Sequence, residues 1–271
     1  MSIARDHLLL EMGIGPLWKM RHAPAATPVS APAAVLPEAS AAGRTQDALV
    51  AKQPAPAVAM PQSMQQTTAG QAERVDALAR MDWPALKAAV STCTACALCA
   101  SRKNTVFGVG DERAQWMIIG EAPGAEEDAR GEPFVGQAGQ LLDAMLAALD
   151  MRRDRNVYIT NVLKCRPPGN RNPAPEEVAR CAPHLLRQVA LVRPKLILLM
   201  GRFATQTVLA SDASIASLRG RLHSFAGTPA IVTYHPAYLL RAPTEKARAW
   251  EDLLFARATW RGLQTPADAT T

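Results

Sequence analysis

The sequence lacks a long apolar run, since no stretch approaches the roughly 18 apolar residues that a membrane-spanning helix needs. The leucine run at residues 8–10 ends at Glu11, without the long apolar core and small-residue cleavage site of a signal peptide. Cysteine is also scarce, and five is an odd number that fits poorly with a framework of disulfides. We therefore expect no membrane contact and a cytoplasmic protein with reduced thiols.

Large apolar side chains are almost absent from residues 23–61, which contain 14 Ala and 7 Pro. Such a segment buries too little surface to offset the entropy of ordering it. This composition predicts a disordered linker at 22–81, one globular domain at 82–263 and a short tail at 264–271. Residues 1–21 are richer in apolar side chains, typical either of a frayed or folded-back terminus or of a peptide that docks on a protein partner.

The five cysteines fall into two groups, with Cys93, Cys96 and Cys99 in one short run and Cys165 and Cys181 far downstream. No histidine or carboxylate interrupts either group, so four thiolates can converge on one metal centre. Zinc is a common structural centre for four thiolates. The spacing also allows Cys96 and Cys99 to form the local pair.

The rest of the chain alternates short apolar runs with longer amphipathic segments, which predicts a mainly parallel sheet covered by helices on both faces. In such sheets a ligand binds beyond the carboxyl ends of the strands. The predicted strands are 116–120, 157–163, 196–200 and 230–233, and the longer predicted helices include Leu141–Leu149, Val178–Val192 and Glu245–Trp260.

Chemically capable side chains follow these predicted strands. Glu121 lies in a tight Gly-Pro turn after the first strand, and Asn161 lies near the end of the second. Phe134 lies in a loop before a helix, and His235 follows the fourth strand. Each has an ordinary structural alternative, such as a capping role or a lid on the core. Glu126–Asp128 is more typical of a helix N-terminal cap than of a catalytic cluster.

The charge of the chain is positive, at +6 with a pI of about 9.3. Residues 161–202 are the most basic part, with eight Lys or Arg against Glu176 and Glu177. A solvated face and a surface that binds a phosphate backbone explain this charge equally well.

Six motifs occur in order along the chain: C-T-A-C (93–96), V-F-G-V-G-D (106–111), G-E-A-P-G (120–124), P-F-V-G-Q-A-G-Q-L-L (133–142), T-N-V-L-K-C-R-P-P (160–168) and H-P-A-Y-L-L-R (235–241). Together these motifs resemble those of the family 4 uracil-DNA glycosylases, which are iron–sulfur enzymes. The resemblance runs from about Trp83 to about Trp260.

This resemblance implies a three-layer α/β/α sandwich around a four-stranded parallel sheet. It also implies a four-iron four-sulfur cluster with a structural role. The ligands would be Cys93, Cys96, Cys165 and Cys181, leaving Cys99 outside the set.

The resemblance further implies a DNA-repair enzyme that flips uracil out of DNA and hydrolyses its glycosidic bond. Phe134 would stack on the base, Asn161 would read its edge and His235 would stabilise the departing anion. The backbone around Glu121 would line the pocket, from Gly120 to Ala122. Ala122 stands where family 1 enzymes carry a water-activating Asp, so Glu121 is the first choice for positioning water or stabilising the sugar cation.

Contacts to uracil-containing DNA are implied for two sets of residues, in an enzyme expected to be a monomer. Lys164, Arg166 and Arg171 would grip the strand, and Leu239, Leu240 and Arg241 would fill the gap left by the flipped nucleotide. The alternative for Leu239 and Leu240 is ordinary packing under the loop around His235. The alternatives are a non-catalytic iron–sulfur DNA-binding module and a redox or nuclease accessory protein, the latter without a visible set of metal-binding carboxylates. Covalent trapping of the product is not expected, because no R-I-H insertion follows Cys165.

Overall fold

A computed structural model of the chain describes residues 62–264, with side chains from residue 70 onward. The predicted apolar segment 1–21, linker residues 22–61 and tail residues 265–271 lie outside the described residues. None of the helices in this described part is long and apolar enough to cross a membrane.

The folded part of the chain begins earlier than the sequence predicts. Helix α1 spans Gln62–Arg80, and its Leu78 is buried in a cluster with Leu86 and Val90 of helix α2, Trp83–Ser91. Asp82 caps α2 by accepting a 2.9 Å hydrogen bond from the Ala85 amide. The prediction of disorder is therefore wrong for residues 62–81.

The strands of the described residues are β1 (Val109–Gly110), β2 (Trp116–Gly120), β3 (Val157–Asn161), β4 (Leu196–Met200), β5 (His223–Phe225) and β6 (Thr228–Thr233). They form one mixed sheet in the order β1-β3-β2-β4-β6-β5. The four central strands are parallel, while β1 and β5 pair antiparallel at the two edges. The predicted four-stranded parallel sheet is therefore corrected to a parallel centre with two antiparallel edges.

Local backbone geometry explains the two extra strands. Ala226 and Gly227 both have positive φ, at 49° and 78°, which suits the two-residue turn between β5 and β6. Gly110 in β1 has φ of 124°, and a Cβ there would lie 2.2 Å from the Val157 carbonyl oxygen. Glycine thus permits the close edge pairing.

Helices cover both faces of the sheet. After α1 and α2 the described helices are α3 (Ala125–Arg130), α4 (Gln137–Ala147), α5 (Pro175–Val192), α6 (Arg202–Leu209), α7 (Ile215–Leu218), α8 (Pro236–Arg241) and α9 (Lys246–Gly262). On one face of the sheet Met117 and Ile119 of β2 pack with Val189 of α5 in a buried cluster. On the other face the Trp116 ring meets the Trp260 ring of α9 edge to face, at 6.1 Å between centroids.

Candidate active site and cysteine cavity

A cleft of about 770 Å³ lies at the carboxyl ends of the four parallel strands. Each strand contributes one polar side chain at its end: Glu121 after β2, Asn161 on β3, Arg202 after β4 and His235 after β6. Phe134 also lines this cleft. The structure therefore brings together the four side chains that the sequence singled out, and it adds Arg202.

Gly120 allows two of these side chains to meet. A Cβ at this position would lie 2.4 Å from Asn161 Oδ1 and 2.6 Å from the tip of the Phe134 ring. Asn161 is buried, and its Oδ1 has no hydrogen-bond partner among the described residues. A buried acceptor without a donor costs about 1–3 kcal/mol, so this oxygen is suited to an incoming N–H group.

The loop that carries Phe134 is held in an uncommon conformation. Phe134 has a positive φ of 55°, a backbone state that non-glycine residues seldom adopt. The Arg153 guanidinium fixes it by donating hydrogen bonds to the Pro133 carbonyl, at 2.8 Å, and to the Phe134 carbonyl. Backbone strain of this kind persists only where surrounding contacts hold the conformation, as the Arg153 hydrogen bonds do here.

Glu127 joins this loop to the turn that carries Glu121. Its Oε1 accepts hydrogen bonds from the Val135 and Gly136 amides at 2.9 and 3.1 Å, and its Oε2 accepts one from Gly124 at 3.0 Å. The capping role predicted for the acidic run is confirmed by the last of these bonds. Glu127 therefore sets the distance between the two loops.

His235 lies half-buried in the cleft with its ring stacked on Phe134, at 5.4 Å between centroids and 25° between planes. Its Nδ1 accepts a 3.1 Å hydrogen bond from the Ala237 amide at the start of α8. An acceptor Nδ1 leaves the proton on Nε2, so Nε2 is the donor. Burial, helped by the positive charge of Arg241, lowers the pKa of His235 to about 4.

Glu121 and Arg202 form the charged part of the cleft. Burial raises the pKa of the Glu121 carboxyl, and the positive charge of Arg202 opposes that rise. Arg202 is the first residue of α6 and follows Gly201, whose φ of 91° turns the chain sharply after β4. The sequence signal for Arg202 is its place shortly after a predicted strand, at the edge of the sheet where the other cleft residues lie.

Lys164 is not a DNA contact, because it is fully buried. Its ammonium donates three hydrogen bonds, to Thr160 Oγ1 at 2.6 Å, the Asn161 carbonyl at 2.7 Å and Gln188 Oε1 at 2.6 Å. Burial lowers the pKa of Lys164 to about 8, against the raising effect of Cys181 and Cys165. The prediction that Lys164 grips DNA is therefore wrong.

The other predicted DNA contacts divide in two. Leu239 lies on the buried side of α8 at 1 % exposure, so the wedge role is wrong for this residue and ordinary packing accounts for it. Leu240 and Arg241 are exposed, and Arg241 lines the cleft.

Arg171 also lines the cleft, where both its terminal nitrogens donate hydrogen bonds to the Glu177 carboxylate, at 3.0 and 2.6 Å. Arg166 is not among the cleft-lining residues and donates to Asn170 Oδ1.

A second cavity is lined by Cys93, Cys96, Cys165 and Cys181 together. Cys99 is not among its lining residues, so the geometry favours Cys93 with Cys96 as the local pair. All five thiols are free in the described chain. Among residues 70–264, no group of three His, Cys, Asp or Glu side chains is arranged to hold a single metal ion.

N–H groups point at three of these sulfur atoms. Arg102 Nη1 lies 3.2 Å from Cys165 Sγ, the Lys164 amide lies 3.3 Å from Cys181 Sγ, and Arg74 Nη2 lies 3.8 Å from Cys93 Sγ. Burial raises the pKa of the Cys181 thiol to about 11 and also raises that of Cys165. Metal binding requires the thiolate form of a cysteine, and N–H donors of this kind suit sulfur atoms that ligate a metal centre.

Comparison with known proteins gives a consistent result. Residues 107–254 match the family model described as the uracil DNA glycosylase superfamily. The chain is 44% identical over 162 residues to the type-4 uracil-DNA glycosylase of Archaeoglobus fulgidus, covering 57% of this chain and 81% of that protein. It is 40% identical over 181 residues to the type-4 uracil-DNA glycosylase of Pyrobaculum aerophilum, covering 64% of this chain and 92% of that protein.

A third type-4 uracil-DNA glycosylase, from Thermotoga maritima, is 43% identical over 161 residues, covering 59% of this chain and 83% of the relative. The superfamily segment, residues 107–254, includes the ends of the four parallel strands that form the cleft. This chain therefore belongs to the uracil-DNA glycosylase superfamily and, within it, to the type-4 uracil-DNA glycosylases.

Proposed function

We propose that this chain removes uracil from DNA by flipping the nucleotide into the cleft and hydrolysing its glycosidic bond, as a monomer in the cytoplasm. The observation that carries the proposal is the buried, unpartnered Oδ1 of Asn161 beside the stacked rings of Phe134 and His235. A glycosylase must take its base out of the stack, because the bond to be broken lies inside the duplex.

Base reading falls to Asn161 and Phe134. Uracil presents an N3–H donor next to its O4 acceptor, which matches the acceptor and donors of an amide. Cytosine presents the reverse pattern, so its amino group would face a donor and leave buried polar groups unpaired. Sites of this kind discriminate strongly for that reason. The face of Phe134 supplies the stacking surface.

His235 stabilises the leaving group. Its neutral ring, with the proton on Nε2, donates a hydrogen bond to the uracil oxygen on which negative charge develops. Such donors are worth about 2.7–4 kcal/mol in the transition state. The hydrogen bond from the Ala237 amide to Nδ1 fixes this tautomer before substrate binds.

Glu121 acts on the sugar side of the bond. Ala122 has no group to activate water, so the carboxylate of Glu121 either positions the water or stabilises the sugar cation. The positive charge of Arg202 favours the ionised form of that carboxyl, against the effect of burial on its pKa. Arg171, Arg202 and Arg241 supply positive charge along the cleft, where the DNA phosphates would pass.

The cavity formed by four cysteines would hold a four-iron four-sulfur cluster, with Cys93, Cys96, Cys165 and Cys181 as ligands. When bound, the cluster supplies structural cross-linking rather than chemistry on the base. Cys93 and Cys96 follow α2, whereas Cys165 follows β3 by four residues and Cys181 lies in α5. The cluster would thus join the start of the domain to the strand that carries Asn161.

The test is a single-turnover assay on a labelled uracil-containing oligonucleotide, followed by alkali to cleave abasic sites. We expect cleavage at uracil and none with thymine. Asn161→Ala should lower the rate at least 100-fold while binding of abasic-site DNA is kept. Asn172→Ala, at the exposed rim of the same cleft, is the matched control and should change neither. DNA binding without uracil release would favour the non-catalytic module instead.

A further inference from the structure

The exposed rim of the cleft carries an aromatic side chain that the proposed chemistry does not use. Tyr238 lies on α8, three residues after His235, and 39% of it is exposed. It lines the cleft, whereas its neighbour Leu239 is buried and the exposed Leu240 is not among the cleft-lining residues. Of these three consecutive residues, Tyr238 alone combines a large apolar surface with a place at the cleft.

A second ring lies behind Tyr238. The Tyr234 ring, at the carboxyl end of β6, lies 5.2 Å from the Tyr238 ring with 34° between their planes. The Arg219 guanidinium lies 4.9 Å from the centroid of Tyr234, within the range of a cation–π contact. The order from the interior outward is thus guanidinium, ring, ring and solvent.

The inner end of this stack is fixed in the fold. Arg219 Nε donates a 2.6 Å hydrogen bond to Asp252 of α9, which is 2% exposed, and a terminal nitrogen of Arg219 donates to the Arg248 carbonyl. An exposed aromatic ring on a fixed support loses little conformational entropy when a flat partner stacks on it. The ring of Tyr238 is thus supported from the interior, and its exposed side is available to one more planar group.

We propose that Tyr238 is a stacking site for an unpaired nucleobase adjacent to the flipped uracil on the same strand. This inference rests on the proposed function, since it takes the cleft to hold the uracil nucleotide. Flipping exposes one face of each neighbouring base, and an aromatic ring at the rim replaces the stacking that was lost. Every base has a π face, so the site tolerates any neighbouring base.

The site also implies a preference between substrates. In a duplex the neighbouring base is still held by its complementary strand, whereas in single-stranded DNA it is free to move onto the ring. We therefore expect Tyr238 to contribute more on single-stranded than on double-stranded substrate.

Fluorescence of 2-aminopurine placed beside the uracil tests the inference, because stacking quenches this base. The probe is a single-stranded oligonucleotide with 2′-fluoro-deoxyuridine, whose glycosidic bond resists hydrolysis, so that binding is measured without turnover. We expect Tyr238→Ala to increase the 2-aminopurine fluorescence of the bound probe and to raise the Kd for the probe roughly 5- to 100-fold. Tyr238→Phe should match the wild type, since it keeps the ring.

Two further variants complete the experiment. Leu222→Ala removes a side chain that is 54% exposed and outside the cleft lining, so it should leave both signals unchanged. Leu240→Ala tests the competing residue on α8. Equal quenching in Tyr238→Ala and wild type, or loss of quenching in Leu240→Ala alone, would overturn the inference. Quenching by Tyr238 in a protein that releases no uracil would keep the stacking site and remove the proposed catalytic function.

Discussion

The ammonium of Lys164 donates a 2.7 Å hydrogen bond to the backbone carbonyl of Asn161, the residue proposed to read the base. The amide of the same lysine donates to Cys181 Sγ in the cysteine cavity. One residue therefore contacts both the strand end at the cleft and a proposed cluster ligand. The base-reading end of β3 and the cysteine cavity are therefore linked through the backbone and side chain of Lys164.

Lys164→Met removes the donor from three buried acceptors, on Thr160, Asn161 and Gln188. Each unpaired acceptor costs about 1–3 kcal/mol, so we expect a lower melting temperature and at least a tenfold loss in the single-turnover rate. Lys195→Met is the control, because Lys195 is exposed beside β4. Thermal unfolding and uracil release should separate the two variants, and indistinguishable behaviour would contradict this role.

His235 is expected to work as a neutral donor. His235→Ala should lower the chemical rate about 100- to 1,000-fold with little change in DNA affinity. His235→Gln retains a neutral N–H group and should recover part of that loss. Single-turnover rates and equilibrium binding distinguish the two effects, and a change confined to affinity would argue against the assigned role.

The pH dependence of stability follows from the same histidine. Its folded pKa of about 4 lies below the ordinary 6.5, so the unfolded chain binds the proton first as the pH falls. His235 therefore lowers the free energy of unfolding progressively from about pH 6.5 to pH 4. Urea titrations at several pH values measure the free energy of unfolding, which should decline less between pH 6.5 and pH 4 in His235→Gln than in the wild type. An equal decline in both proteins would exclude this contribution.

Arg202→Met should alter the acid limb of the activity profile. Without the positive charge of Arg202 the pKa of Glu121 rises further, so the ionised carboxylate is lost at a higher pH as the solution is acidified. We expect the falling limb of the single-turnover rate to move to higher pH. Arg166→Met removes a charge outside the cleft lining and should leave the limb in place. A parallel loss at every pH would mean that Arg202 only binds DNA.

Cysteine substitutions test the proposed ligand set. Cys165→Ser should yield colourless, poorly folded protein with little iron, because it removes a ligand from the buried cavity. Cys99→Ser, in the same short run as Cys93 and Cys96, should keep its colour, iron content and melting temperature. Loss of iron in Cys99→Ser together with retention in Cys93→Ser would assign Cys96 and Cys99 as the local pair.

The apolar runs predicted the central strands well, because β2 and β4 are buried along their whole length and must be continuously apolar. The cleft followed from them, since the carboxyl ends of parallel strands meet at one edge. Strand β5 escaped prediction because none of its three residues is fully buried, and the same holds for the two residues of β1. Pattern alone assigns no strand to such short edges.

Lys164 shows a different limit of sequence reasoning. A lysine in a basic segment is normally exposed, and nothing in its immediate neighbours reveals that Gln188, 24 positions away, completes its hydrogen bonds. The positive φ of Phe134 is likewise set by Arg153, whose importance has no local signal. Both features depend on tertiary contacts, which hydrophobic periodicity does not encode.

Glu127 bonds the backbone of both loops that border the base pocket, and its carboxylate is itself part of the folded core of the cleft. These two loops are thus ordered when the domain folds and do not have to be immobilised at each encounter with DNA. The base pocket would be preformed on its loop side, so more of the binding free energy goes into distorting the nucleic acid. Damaged sites whose bases are already loosely stacked would then be processed fastest.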